Sequence, residues 1–69
     1  MYTVTAIYQD SEIGYGEGES DAYAVEDCID SIPMIFKECA SRRDIHLMVL
    51  NNSGLVYATN WLNYEITTA

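Results

Sequence analysis

Positive charge is scarce in this chain. Against eleven acids stand only Lys37, Arg42 and Arg43, a net charge of −8 over 69 residues. Nucleic acids and anionic lipid surfaces are bound through Lys and Arg, so they are excluded as direct partners. A basic partner is favoured instead, including proteins that themselves bind nucleic acid. A membrane-spanning run is missing as well, since no apolar stretch is long enough to cross a bilayer. Met1-Tyr2-Thr3-Val4-Thr5 has neither the charged nor the apolar part of an export signal, so the expected location is the cytoplasm.

Metal and redox chemistry have little to draw on. The two cysteines, Cys28 and Cys39, fall in a segment that reads as helical. Their separation is ~16 Å along a straight helix, and a disulfide needs Cα atoms within roughly 7 Å. Both read as reduced core residues. There is no CxxC and no second ligand type beside them. The single histidine, His46, alternates with Ile45 and Leu47 in a strand and has no nucleophile or acid at a recognisable spacing. Gly14-Tyr15-Gly16-Glu17-Gly18 lacks the spacing and the Lys of a phosphate loop, and its carboxylate would repel a phosphate. Counted from Asp10, the acidic run misses the calcium-loop template, because Gly falls fifth and not sixth. No catalytic residue, cofactor or metal ligand is expected, and the chain reads as a non-enzyme.

Residues 1–69 suffice for one α+β domain. Met1 to Gln9 alternates, with Tyr2, Val4, Ala6 and Tyr8 on one side, and reads as a strand. Asp10-Ser11-Glu12 reads as a polar turn. Ile13 to Gly16 reads as a short second strand whose glycines suggest a bulge or a flexible edge. Ser20 is a good N-cap, with Asp21 in the first turn. Ala22, Val25, Ile29, Ile32, Phe36 and Cys39 then step as one apolar helix face. At Pro33 either the helix kinks or a second helix begins near Ser31, and the apolar phase that survives across it favours the kink. Arg42 and Arg43 lie near its C-terminal end, where cations suit the dipole.

Ile45 to Leu50 and Leu55 to Thr59 read as a hairpin around Asn51-Asn52-Ser53-Gly54. Trp61 to Thr67 alternates again and reads as a fifth strand or a continuation of the fourth. The expected architecture is one antiparallel ββαββ sheet with one kinked helix across a face. Its core should draw on the helix face plus Val4, Ala6, Leu47, Val49 and Val56, with Trp61 as a lid.

One feature exceeds the needs of folding. Asp10, Glu12, Glu17, Glu19, Asp21, Glu26, Asp27 and Asp30 carry eight of the eleven acids across a span with no Lys or Arg. Like charges repel and cost stability. Such a face either keeps a small protein soluble or docks on a basic partner. Tyr15 and Tyr23 lie inside the span, and Tyr is enriched at protein interfaces. The expected partner-binding set is therefore Glu17, Glu19, Asp21, Glu26, Asp27 and Asp30, with Tyr15 and Tyr23 as anchors.

In size, acidity and strand–strand–helix–strand–strand order, the whole chain resembles small phage-encoded inhibitors of host systems, including some anti-CRISPR proteins and phage inhibitors of host polymerase. The segment from Tyr2 to Ile32 also resembles the first half of an HicB-type antitoxin, without that family's DNA-binding part. The resemblance implies an inhibitor that blocks a basic groove on a CRISPR complex, a restriction enzyme or a polymerase, its carboxylates taking the place of phosphates. The alternative is a small assembly subunit or antitoxin-like partner, forming a homodimer or larger oligomer through the sheet.

Overall fold

The computed structural model describes residues 1–68. The first hairpin pairs Tyr2–Tyr8 (β1) with Ser11–Gly18 (β2). Its loop is Gln9-Asp10, both with positive φ (51° and 63°). Positive φ at both central residues suits the right-handed twist of a two-residue hairpin. The turn thus lies one residue earlier than the polar triplet Asp10-Ser11-Glu12 suggested, and Ser11 and Glu12 belong to β2. A bulge at Ile13 interrupts the ladder, since Ala6 faces Gly14 but Ile7 faces Glu12.

Asp21–Ser31 (α1) begins at Ser20, whose hydroxyl accepts from the Tyr23 amide at 3.2 Å. It ends because Pro33 pushes Ile32 into extended backbone (φ −67°, ψ 127°). The expected kink is therefore a break. Met34–Cys39 (α2) is a separate short helix, and the Pro33 carbonyl accepts from the Phe36 and Lys37 amides. Arg42 and Arg43 fall not at a long helix's end but in a 3₁₀ turn, Arg42–Asp44, capped by Ser41.

His46–Asn51 (β3) and Gly54–Asn60 (β4) form the second hairpin. The last segment corrects the expectation of a fifth strand: Trp61–Thr68 (α3) is a helix. The Asn60 side chain accepts from the Asn63 amide at 2.7 Å, a helix cap that terminates β4. The Trp61 amide donates to the Ile45 carbonyl at 3.0 Å, which anchors the new helix to the start of β3.

The four strands are antiparallel in the order β2-β1-β3-β4. The fold is α+β, with helices packed on the sheet. Val4, Ala6, Leu47 and Val49 bury completely beneath Ala24, Val25, Cys28 and Ile32, and Ile45 and Trp61 complete the core. The alternating residues Thr3, Thr5, Met48 and Leu50, on the reverse face, are only half-buried. Val56, expected inside, is exposed, because β4 bulges between the pairs Val49–Tyr57 and Leu50–Leu55. Cys39, also expected inside, is exposed and free, while Cys28 is buried and free. Ala22 is exposed too, so the buried face of α1 is turned toward Ala24 and Cys28.

The glycines of β2 explain that rotation. Gly16 lies so close under α1 that an added Cβ would stand 2.2 Å from the Cys28 nitrogen and 2.5 Å from the Ala24 oxygen. Those are backbone atoms and cannot swing aside. Gly14 and Gly18 are close to the same helix as well but less tightly, an added Cβ standing 3.1 Å from the Cys28 oxygen and 2.8 Å from the Ala24 nitrogen respectively. The period-two glycines are thus a seat on which Ala24 and Cys28, spaced i and i+4, rest directly, rather than a flexible edge.

Candidate protein-binding surface

The eight acids of the first 32 residues are all exposed. The first hairpin loop carries Asp10, β2 carries Glu12 and Glu17, the connection carries Glu19, and α1 carries Asp21, Glu26, Asp27 and Asp30. α1 buries Ala24, Val25 and Cys28, so a helical repeat turns Tyr23, Glu26 and Asp30 to the opposite side. Tyr23 is 75% exposed, and Tyr15 45%. The two tyrosines do not share a face. Tyr15 sits in register with Thr5, and Glu17 with Thr3, on the reverse side of the sheet from α1. The acidic surface therefore wraps around the β2 edge rather than forming one flat patch.

That edge is where the carboxylates divide by role. β2 is an outer strand, and an edge with free amides invites unwanted pairing. Two α1 side chains reach over and take those amides. Asp27 Oδ2 accepts from the Glu17 N–H at 3.0 Å, and Ser31 Oγ accepts from the Tyr15 N–H at 2.9 Å. The Ser31 hydroxyl in turn donates to the Cys28 carbonyl at 2.7 Å. Asp27 is thus engaged in the fold, and Asp21 accepts from the Ala22 amide at 2.8 Å. Tyr15 donates its hydroxyl to Glu17 at 3.0 Å. That hydrogen bond, followed by burial and the charges of Glu17 and Glu12, raises the Tyr15 pKa above 10.0.

The second half of the chain is neutralised internally. Arg42 forms a two-pronged pair with Glu65 at 2.6 and 2.8 Å, and its guanidinium lies 4.6 Å from the Trp61 ring centroid. Among the described residues this is the one ion pair, so the eight carboxylates of the first half stand without a cationic partner.

A groove of about 440 Å³ runs between the start of α1 and α3, with β4 alongside. Asp21 and Ala22 line one wall, Tyr64 and Thr67 the other, and Tyr57 and Thr59 belong to the strand. Burial raises the Tyr57 pKa, with Asp21 adding to it. Burial also raises the Tyr64 pKa, followed by the charges of Glu26, Tyr57 and Asp21. Both hydroxyls thus stand in a negative field. This groove was invisible while Trp61 to Thr67 read as a strand. The signals for it were Asn60 as a cap and the i, i+3, i+4, i+7 spacing of Trp61, Tyr64, Glu65 and Thr68.

His46 is exposed on β3, beside Ile7 and Asn60 in register. Among the described residues, no three His, Cys, Asp or Glu side chains are grouped to hold a metal ion, and no helix is long and apolar enough to cross a membrane. No family model, curated protein or solved structure matches the chain.

Proposed function

We propose that this protein is an acidic binding protein acting in the cytoplasm, which docks on the basic, nucleic-acid-binding surface of a host or defence protein and blocks it. One observation carries the reading: eight exposed carboxylates with no cationic partner, held on a hairpin and helix locked together by backbone contact. Glu26 and Asp30, at i and i+4 on α1, repel one another, at a cost of roughly 0.2–0.5 kcal/mol in an isolated helix. Self-repulsion retained on a rigid frame is what a phosphate-mimicking surface requires. Long-range attraction would speed encounter, and Tyr15 and Tyr23 would set residence time.

The test is capture from a bacterial lysate at low and high salt, with the recovered protein's own nucleic-acid binding then measured against added chain. The expected result is a basic protein whose DNA or RNA binding is competed away, and whose capture fails at high salt or with Glu26→Lys plus Asp30→Lys. Asp27 is left intact because it holds the β2 edge. A second reading is favoured by the exposed Leu55 and Val56 on the outer strand β4: a homo-oligomer formed through the sheet. It predicts a defined oligomer indifferent to both charge reversals.

A further inference from the structure

The molecule already contains one complete guanidinium site. On α3, Trp61 offers its ring face and Glu65, one turn later, its carboxylate, and Arg42 fills the space between them. An adjacent side of the same helix also faces aromatic rings and a carboxylate, here drawn from different elements and without a cation. Tyr64 and Tyr57 supply aromatic rings, Asp21 stands on the opposite wall, and Glu26 acts on Tyr64 from α1. No Lys or Arg of this chain lines the groove. Its volume of about 440 Å³ falls within the range of small-ligand sites, roughly 300–1,000 Å³.

Resting on the acidic-docking reading, we infer that the groove between α1 and α3 is a receptor for an arginine side chain of the partner, the guanidinium lying against Tyr57 and Tyr64 and facing Asp21. An arginine suits it better than a lysine. The planar guanidinium stacks on aromatic rings while still pairing with a carboxylate, whereas an ammonium keeps its hydration more tightly. Burial first, and then the charges of Asp21 and Glu26, keep these tyrosines neutral, and the same two carboxylates would attract the guest. The groove would thus fix register on a partner that the outer face of α1 only attracts.

The test uses the full chain, with acetylated, amidated tetra-arginine and tetra-lysine peptides as probes, followed by amide NMR shifts at low salt. The expected result is saturable binding of tetra-arginine, tighter than tetra-lysine, with the largest shifts at Ala22, Tyr57, Thr59 and Tyr64. Tyr64→Leu should weaken it about tenfold. Ala22→Arg, at an exposed position that fills the groove with the chain's own guanidinium, should do the same. Glu38→Gln removes one exposed charge on α2, outside both the groove and the acidic surface, and should leave affinity within about twofold. Far-UV circular dichroism and melting confirm that each variant is folded. Should Tyr64→Leu unfold the chain, Ala22→Arg decides alone. Shifts spread evenly over Tyr23, Asp27 and Asp30 would overturn the groove while leaving the acidic surface standing, and equal losses from Glu38→Gln and Ala22→Arg would also overturn the groove. Absence of any peptide binding at low salt would count against both.

Discussion

The first 32 residues and the remainder make two hairpin-plus-helix halves of one sheet, and their charges are arranged in opposite ways. The first half holds eight acids and no Lys or Arg, so it carries the whole net charge of −8. The second holds Glu38, Asp44 and Glu65 against Lys37, Arg42 and Arg43, and balances. They differ equally in how helix meets sheet. α1 rests directly on the β2 backbone through glycines and small side chains. α3 is instead fastened through large groups, with buried Trp61 beneath Arg42 and Glu65. Close backbone approach gives many dispersion contacts without any large side chain. The comparison suggests how a half bearing so much like charge stays folded: its helix cannot slide, and its sheet edge is closed by the helix's own Asp27 and Ser31.

The largest expected effect breaks the first half alone. Gly16→Val would drive side-chain atoms into the Ala24 and Cys28 backbone and should cost about 3 kcal/mol or more, as overpacking against atoms that cannot yield does. In a chain this small, denaturant titration should show little folded protein.

Alkaline unfolding separates the halves next. Burial, then the charge of Asp27, pushes the Cys28 thiol from 9.0 up to about 11, with a hydrogen bond to the Ala6 backbone acting against it. The fold favours the neutral thiol, so this contribution is fully present below pH 9 and is lost as pH rises from 9.0 toward about 11. Tyr57 and Tyr64 are also raised from 10.0 and add losses of the same sign at higher pH. Melting temperature followed against pH should fall across this window. Cys28→Ala should remove the earlier part of the fall and leave the tyrosine part. At pH 8 a thiol reagent should modify exposed Cys39 quickly and Cys28 only on unfolding.

A smaller difference tests the division of labour among the carboxylates. Asp27→Ala leaves the Glu17 amide without its acceptor and should cost about 1–2 kcal/mol. Asp30→Ala, which removes the same charge from a position with no such bond, should change stability by less than about 0.5 kcal/mol. Equal costs in urea titration would mean that Asp27 is merely another surface charge.

The smallest effect is a gain. Gln9 and Asp10 hold positive φ without being the residues that most readily adopt it. Replacing the pair by Asn-Gly should stabilise the first hairpin by about 0.5–1 kcal/mol, seen as a modest rise in melting temperature.

The strands β1, β3 and β4, the Ser20 cap, the Asn51–Gly54 turn and the α+β class were all readable from alternation and local punctuation. So was the concentration of acid, because charge order is a property of the chain itself. The candidate surface was legible in its membership but not in its roles. Nothing local marks Asp27 as a cap for β2 or Asp21 as a groove wall, since each role depends on a residue at least ten positions away or on a different element.

The misreadings share that cause. Alternation in Trp61 to Thr67 fits a strand as well as a helix, and the cap from Asn60 together with the bond from Trp61 to Ile45 decides for the helix. Glycine at 14, 16 and 18 is compatible with a loose edge or with a helix seat, and only the arrival of Ala24 and Cys28 distinguishes them. By itself, then, the sequence determined where chain elements can form and where the negative charge lies, because periodicity and charge act over a few residues. Tertiary structure alone decided which carboxylates are engaged, which helix rests on bare backbone, and that two tyrosines meet an aspartate across a groove, because those depend on packing between elements distant in the chain.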